Sequence, residues 1–318
     1  MILPIELQEK INDLYSSINK QVLVSSRQDL TDKYKATKES GRSLIDSKAE
    51  GVVYAISRMP STYAVVYTLL SNLIEQGLID NIKTIFDVGS GTGAGYFALK
   101  SLFPESEISL FERESNMIDV FKKLSDDKDV VRFDLIKDNF EKNADLVVTS
   151  YVLSEMNEES RILSVKKMME TSSRYVLLID TGTPRTYENF LKIKKLVNDS
   201  DDWNIIAPCK TEKCGLKNDY CQFFARVERS ALLKMSKEGT LSYEDEKYFY
   251  LLLSKDNVKS DFARVIRRPI IKTNVTELKV CDDCGIRDLK ITKKHKQLYK
   301  KSKKVRVNEL IDLSEIND

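Results

Sequence analysis

Few chains that carry FDVGSGTGAG, residues 86–95, can be anything but an alternating α/β sheet. A short apolar strand, 85–88, runs straight into glycines at every second position, Gly89, Gly91 and Gly93. A helix, 96–102, follows at once. Glycine adopts positive φ without a Cβ penalty and lets another group approach the backbone closely. Strand, glycine turn, helix is the opening of a sheet that binds a ligand at the turn. The alternation continues with strands at 107–111, 130–136, 144–150, 175–180, 204–207 and 222–227, and with helices at 115–123, 155–170 and 186–197. Such an order predicts a parallel sheet with right-handed crossovers.

The flanks differ in pattern. Residues 1–80 read as helical, with Leu7, Ile11, Leu14, Tyr15 and Ile18 on one face. Within them Pro60 stands where a helix could begin, and Gly77 where it would end. Beyond 230 the stretches 248–253, 264–267 and 277–280 look like short strands without helices between them. Three regions are therefore expected: a helical region at 1–80, a Rossmann-like domain at 81–230, and a small β appendage with a basic tail at 231–318. From Arg287 to Arg306 there are ten Lys or Arg and one acid, Asp288, which favours a polyanionic partner. No apolar run is long enough for a membrane span. The first residues have no secretory pattern, and Glu6, Glu9 and Asp13 argue against a presequence. The expected setting is the cytoplasm of a bacterial or archaeal type of cell, or the mitochondrial matrix.

Candidate site residues follow from position. Asp87 closes the first strand, and Gly89, Gly91 and Gly93 form the turn. Their G-x-G-x-G spacing resembles that of class I S-adenosylmethionine-dependent methyltransferases, whose ligand has no phosphate. Glu112, at the end of the second strand, stands where an acid binds ribose hydroxyls. Asp138, after the third, could accept from an adenine amino group, as could Asp134 or Asn139. After the fourth strand TSYVLSEM lacks an Asn/Asp-Pro-Pro-aromatic motif, and Ser154 reads as a helix cap. Catalytic residues stay unassigned.

The five cysteines cluster. Cys209, Cys214 and Cys221 are spaced C-x4-C-x6-C, and Cys281 and Cys284 follow about sixty residues later. In a reducing compartment such clusters hold metals more often than disulfides. The loose gaps suit an iron–sulfur cluster, while CDDC at 281–284 keeps zinc open. Either late cysteine could be the fourth ligand. His295, in a basic run, reads as a solvated residue without a role.

Together, RMPSTYAVVY, FDVGSGTGAG, LFERESNMI, IIAPC-x4-C-x6-CQFFARVERS, LSYEDEKYFYL and ARVIRRP, in this order from about residue 51 to 307, resemble the mitochondrial small-ribosomal-subunit methyltransferase-like family, which has bacterial relatives. The resemblance implies a class I methyltransferase fold and S-adenosylmethionine held at Gly89, Gly91, Gly93 and Glu112. It also implies an iron–sulfur cluster, of [4Fe-4S] type, on Cys209, Cys214, Cys221 and Cys281. Cys281 is preferred to Cys284 because LKVC falls just after the RRP segment. The implied partners are the small ribosomal subunit and its rRNA, met by a monomer. Lys210 and Gly215 stand where the family commonly has proline. Two roles are compatible with the resemblance: methyl transfer to rRNA, or non-catalytic subunit assembly.

Overall fold

The structure is a computed structural model describing residues 3–36, 45–126, 129–209, 219–230, 233–234, 241–257 and 262–316. Its centre is a sheet in which β1 (Thr84–Val88) lies between β2 (Glu107–Glu112) and β4 (Ala144–Ser150). Outward from β2 comes β3 (Val130–Arg132), and outward from β4 comes β5 (Ser172–Thr181). These five strands are parallel. The chain moves one way from β1 through α4 (Ala94–Leu102) and α5 (Ser115–Leu124). It moves the other way from β4 through α6 (Glu158–Thr171). Right-handed crossovers in opposite directions put their helices on opposite faces, and the reversal opens a crevice at the C-terminal ends of β1 and β4.

The far side of the sheet departs from the parallel expectation. Residues 248–253 are not part of an appendage. They belong to β8 (Tyr243–Ser254), which enters the main sheet antiparallel to β5. Tyr250, Leu252 and Leu253 are fully buried there. β6 (Asn204–Ala207) and β7 (Phe223–Glu228) both run antiparallel to β8, along its other edge. The sheet order β3-β2-β1-β4-β5-β8-β6 with one antiparallel strand inserted is that of a class I methyltransferase. The pattern of β8 does not reveal this, because an unbroken apolar run looks the same in either sheet and in either direction.

In the helical region the last helix starts earlier than Pro60 suggests. α3 (Lys48–Glu75) begins twelve residues before Pro60, which lies inside it. Ser47 caps it by accepting from the Glu50 amide, and the Glu50 carboxylate accepts from the Asp46 amide. Reciprocal capping of this kind sets a helix start more firmly than a proline does. Met59, Ala64, Val65, Val66, Leu69, Leu70 and Leu73 are all fully buried. α3 packs on α4, α5 and β7, with α1 (Ile5–Ser16) across it and α5, and with α2 (Lys20–Ala36) beside it. On the other face α6 packs on α7 (Pro184–Asn198). No helix among the described residues is long and apolar enough to cross a membrane.

A smaller sheet follows β8. β11 (Val275–Asp282) and β12 (Gly285–Thr292) form a hairpin. β9 (Ala263–Val265), β10 (Ile270–Lys272) and β13 (Leu310–Ile311) complete it. Part of the basic run is thus strand, and part is α8 (Lys296–Ser302), whose Leu298 and Tyr299 are buried. His295 has a role after all: its Nδ1 accepts from the Thr292 amide at 3.0 Å, turning the chain from β12. Arg264, buried in β9, donates to the Gln76 side chain beyond α3 and to Asn308, which also accepts from the Tyr250 hydroxyl. These bonds tie the small sheet to the large one.

Candidate functional site

The glycine turn is built for close approach on two sides and openness on a third. Gly89, Gly91 and Gly93 all have positive φ, at 73°, 57° and 90°. A Cβ on Gly89 would lie 2.3 Å from the Val152 side chain, and one on Gly93 2.3 Å from the Phe121 ring. At Gly91 nothing lies within 4 Å, so the middle of the turn faces open space. The amides of Gly89 and Ser90 donate to the Phe111 carbonyl at 2.8 and 3.1 Å, pinning the turn to β2.

Glu112 follows Phe111 and faces the same space. Its carboxylate accepts from the Gly91 amide at 2.7 Å and from the Glu114 amide at 2.8 Å. It is 7% exposed, and burial raises its pKa. Asp87 is fully buried beneath α4, and a Cβ on Gly95 would come 2.7 Å from its Oδ2. Burial first, then the charge of Glu112, lift Asp87 to about 7. The Tyr96 amide opposes this only in part and makes no hydrogen bond of normal geometry to it.

These groups lie at a cleft of about 130 Å³ with an open mouth. Gly89, Gly91, Glu112, Asp134, Tyr151 and Glu155 are among the residues lining it, with apolar walls from Met117, Leu135 and Ile136. Asp138 does not line it. That carboxylate accepts from the Asp134 amide at 2.7 Å and faces a neighbouring recess, so Asp134 is the acid nearer the expected adenine end. The structure therefore brings Gly89, Gly91 and Glu112 to one cleft, keeps Asp87 and Gly93 beneath it, and leaves Asp138 outside.

Two residues at this cleft are not marked out by the sequence. Glu155 lies in the single 3₁₀ turn Leu153–Glu155, and burial, then Asp180 and Glu112, push it up to about 8. Tyr151, directly after β4, has φ of 62° and a buried hydroxyl with no hydrogen-bond partner among the described residues. Asp180 accepts from the Ser154 amide, and Arg161 donates to the carbonyls of Leu153 and Met156, so this strained segment is held from beneath. Ser154 is not the helix cap: Asn157 caps α6 by accepting from the Ser160 amide. An acid and a tyrosine in TSYVLSEM are the available signal, but their burial is not legible there.

The fit for a cation-bearing nucleoside is good. Three acids with raised pKa values stand at or under the cleft, and a positive ligand would favour their ionised forms. Glu112 lies beside the open middle of the turn, where hydroxyls of a ribose could reach it.

The cysteine segment leaves the edge of the main sheet. Ala207 pairs with Leu252 and Phe223 with Tyr248, so the edge is interrupted opposite 249–251. The chain exits and returns through that gap. Cys209 and Cys221 stand at its two ends, close enough to add to the burial that pushes the Tyr250 phenol up to about 12. Arg267 holds the returning chain by donating to Asp219 and to the Tyr220 carbonyl. Cys281 is buried on β11, opposite Arg264, whereas Cys284 is exposed in the hairpin turn. Cys214 lies outside the described residues. Among the described residues no group of three His, Cys, Asp or Glu side chains could hold a metal ion.

One viral sequence and two solved methyltransferase structures are similar to parts of this chain. A stretch of 130 residues, 40% of this chain, is 25% identical to "Putative methyltransferase 235L" of Invertebrate iridescent virus 6. The match spans 49% of that viral protein, so this chain covers about half the length of the relative it matches. Among solved structures, magnesium protoporphyrin IX methyltransferase (ChlM) of Synechocystis PCC 6803 with bound SAM is 11% identical, with a TM-score of 0.41, over 71% of this chain and 91% of its own. The plantazolicin methyltransferase BpumL, in complex with a monoazolic desmethylPZN analog and SAH, is 11% identical, with a TM-score of 0.46, over 79% of this chain and 99% of its own. Residues 48–310, from the first residue of α3 to β13, match the family model described as mitochondrial small ribosomal subunit Rsm22, and the chain belongs to that family.

Proposed function

We propose that this protein binds S-adenosylmethionine at the crevice above β1 and β4 and works on the small ribosomal subunit as a methyltransferase-like factor. One observation carries the cofactor reading: the Glu112 carboxylate and the open middle of a left-handed glycine turn meet at one cleft, joined by the Gly91 amide. When bound, the cofactor supplies an electrophilic methyl group. Gly91 and Glu112 would hold its ribose, Asp87 and Glu112 would balance its positive charge, and Asp134 would stand near its adenine. Membership of the Rsm22 family supports the ribosomal link. In a eukaryotic cell the setting would be the mitochondrial matrix, and in a bacterial one the cytoplasm.

Calorimetric titration of S-adenosylmethionine into the protein tests the cofactor reading. Glu112→Ala should weaken binding about tenfold to a hundredfold, the range for losing charge-assisted hydrogen bonds. Unchanged affinity would sink it. A second role, non-catalytic assembly, is favoured by the segment after β4, TSYVLSEM, which lacks an Asn/Asp-Pro-Pro-aromatic motif. Labelled methyl transfer to small-subunit RNA separates the two roles.

The cysteines extend the proposal. Cys209, Cys214, Cys221 and Cys281 would hold an iron–sulfur cluster, with Cys284 outside it. The edge gap that brings Cys209 and Cys221 to Tyr250, and the bonds from Tyr250 through Asn308 to Arg264 opposite Cys281, support this ligand set. Iron and sulfide analysis of anaerobically purified protein tests it; zinc in their place would refute it.

A further inference from the structure

Where the two sheets meet, a guanidinium is buried with no anion among the described residues to balance it. Arg264 is 1% exposed, and its acceptors are all neutral: the Gln76 side chain at 2.9 Å, and the carbonyl and side chain of Asn308 at 2.8 and 3.2 Å. We infer that Arg264 and Asn308 are positioning residues for the anionic group that the cysteines would hold, giving it two hydrogen-bond donors and a balancing positive charge. The inference rests on the cysteine reading above and adds to it residues that are not ligands.

The first observation is the charge. Burying a charge is costly unless it is paired, and Arg264 makes no ion pair among the described residues. The acids beside these strands are engaged elsewhere, Asp282 with Arg287 and Glu309 with the Arg306 amide. The second is a pair of unmet donors. Arg264 Nε and Asn308 Nδ2 are both buried without a hydrogen-bond partner among the described residues. Turning the Asn308 amide over would not help. Its Oδ1 accepts from the Tyr250 hydroxyl at 2.6 Å and from Arg264 at 3.2 Å, and a flip would set Nδ2 against the guanidinium. A buried positive charge with two unmet donors is the complement of an anion.

The third observation is the company these residues keep. Arg264 on β9 pairs directly with Cys281 on β11. The side chains of such a pair share one face, with Cβ atoms about 4.5–5.5 Å apart. Nε is also the guanidinium nitrogen closest to the backbone. Tyr250, which donates to Asn308, lies near enough to Arg264, Cys209 and Cys221 to feel the charge of each. Arg264, Asn308 and Tyr250 thus connect Cys281 on the small sheet with Cys209 and Cys221 at the edge of the large one. A group held by four thiolates is negative overall, whether its core is iron–sulfur or zinc, because the thiolates outnumber the positive charges of the core. Residues that donate to such ligands from behind set how firmly the group is held.

The test follows release of bound metal from the full chain, purified anaerobically, after a chelator is added. Loss of visible absorbance reports iron, and a metal-sensitive dye reports zinc. Asn308→Asp keeps the Oδ1 acceptor for Tyr250 and Arg264, and its left-handed φ of 76° suits aspartate as it suits asparagine. It removes the unmet donor and cancels the charge of the guanidinium. Release should become about tenfold faster or more, the usual effect of losing a residue behind the ligands. Gln76→Ala takes one bond from the link between the sheets and leaves the charge, so it should release metal as the parent does. Arg264→Gln should release it fast, and Arg264→Lys, which keeps the charge, more slowly than Arg264→Gln. An Arg264 that only links the sheets predicts the opposite pattern: Asn308→Asp would strengthen the link and hold metal as well as the parent, and Gln76→Ala would not. Parent-like release from Asn308→Asp, release from Gln76→Ala as fast as from Asn308→Asp, or equal release from Arg264→Gln and Arg264→Lys would overturn the inference. A parent that carries no metal would overturn the cysteine reading itself.

Discussion

Asp87→Asn should stabilise the ligand-free protein, and increasingly so as pH rises. The Asp87 carboxyl is fully buried without a normal hydrogen bond, and burial with the neighbouring Glu112 charge lifts its pKa from 3.8 to about 7. In the unfolded chain it ionises at its ordinary value. Between about pH 4 and pH 7 the folded state therefore holds a proton that the unfolded state has released. Stability falls through that window by about 1.4 kcal/mol per pH unit, or roughly 4 kcal/mol in all. It is intact below the window, and the loss is complete above it. Asparagine cannot ionise and removes the slope. Urea unfolding of parent and variant at about pH 5.5 and about pH 7.5 should show the gap between them widening by about 2 kcal/mol. A gap that stays constant would refute the reasoning, because it would mean that Asp87 is solvated or paired in the native state. S-adenosylmethionine, which carries a sulfonium, should narrow the gap more than S-adenosylhomocysteine, which does not. An acid so costly to the empty fold makes sense if a cation offsets it.

Other outcomes follow from the same geometry. Gly93→Ala should destabilise by about 2–4 kcal/mol in urea unfolding, from left-handed strain and collision with the Phe121 ring. Cys281→Ser should lower the iron content and weaken binding to small-subunit RNA, while Cys284→Ser, at an exposed turn, should change neither; equal effects would show that the ligand set is wrong. RNA affinity should fall steeply with added salt. Replacing Lys300, Lys301 and Lys303 by glutamine should flatten that dependence, measured as the slope of log affinity against log salt, by about 0.7–0.9 for each phosphate no longer neutralised.

Much of the fold was legible because its signals are local. The glycine turn, the strand before it and the helix after it each follow from neighbours in sequence, and a left-handed turn admits few residues but glycine. Glu112 was legible for the same reason: the end of a second strand is a fixed place in such a sheet. Asp138 falls a short distance from its expected place, because β3 stops at Arg132 and the chain then turns back on itself through the bond from the Asp134 amide to Asp138. Side-chain direction after a strand end depends on that turn, which composition does not reveal.

Sequence alone thus marked the order of the strands and helices around the glycine turn, the turn itself and the identity of the cysteine thiols. Only the tertiary structure decided where 248–253 belongs, since antiparallel insertion between β5 and β6 depends on pairing across some seventy residues to β5 and nearly fifty to β6. Only it set the environment of Asp87, Tyr151 and Glu155. Burial and nearby charge give those side chains their altered chemistry, and both come from segments far apart in the chain.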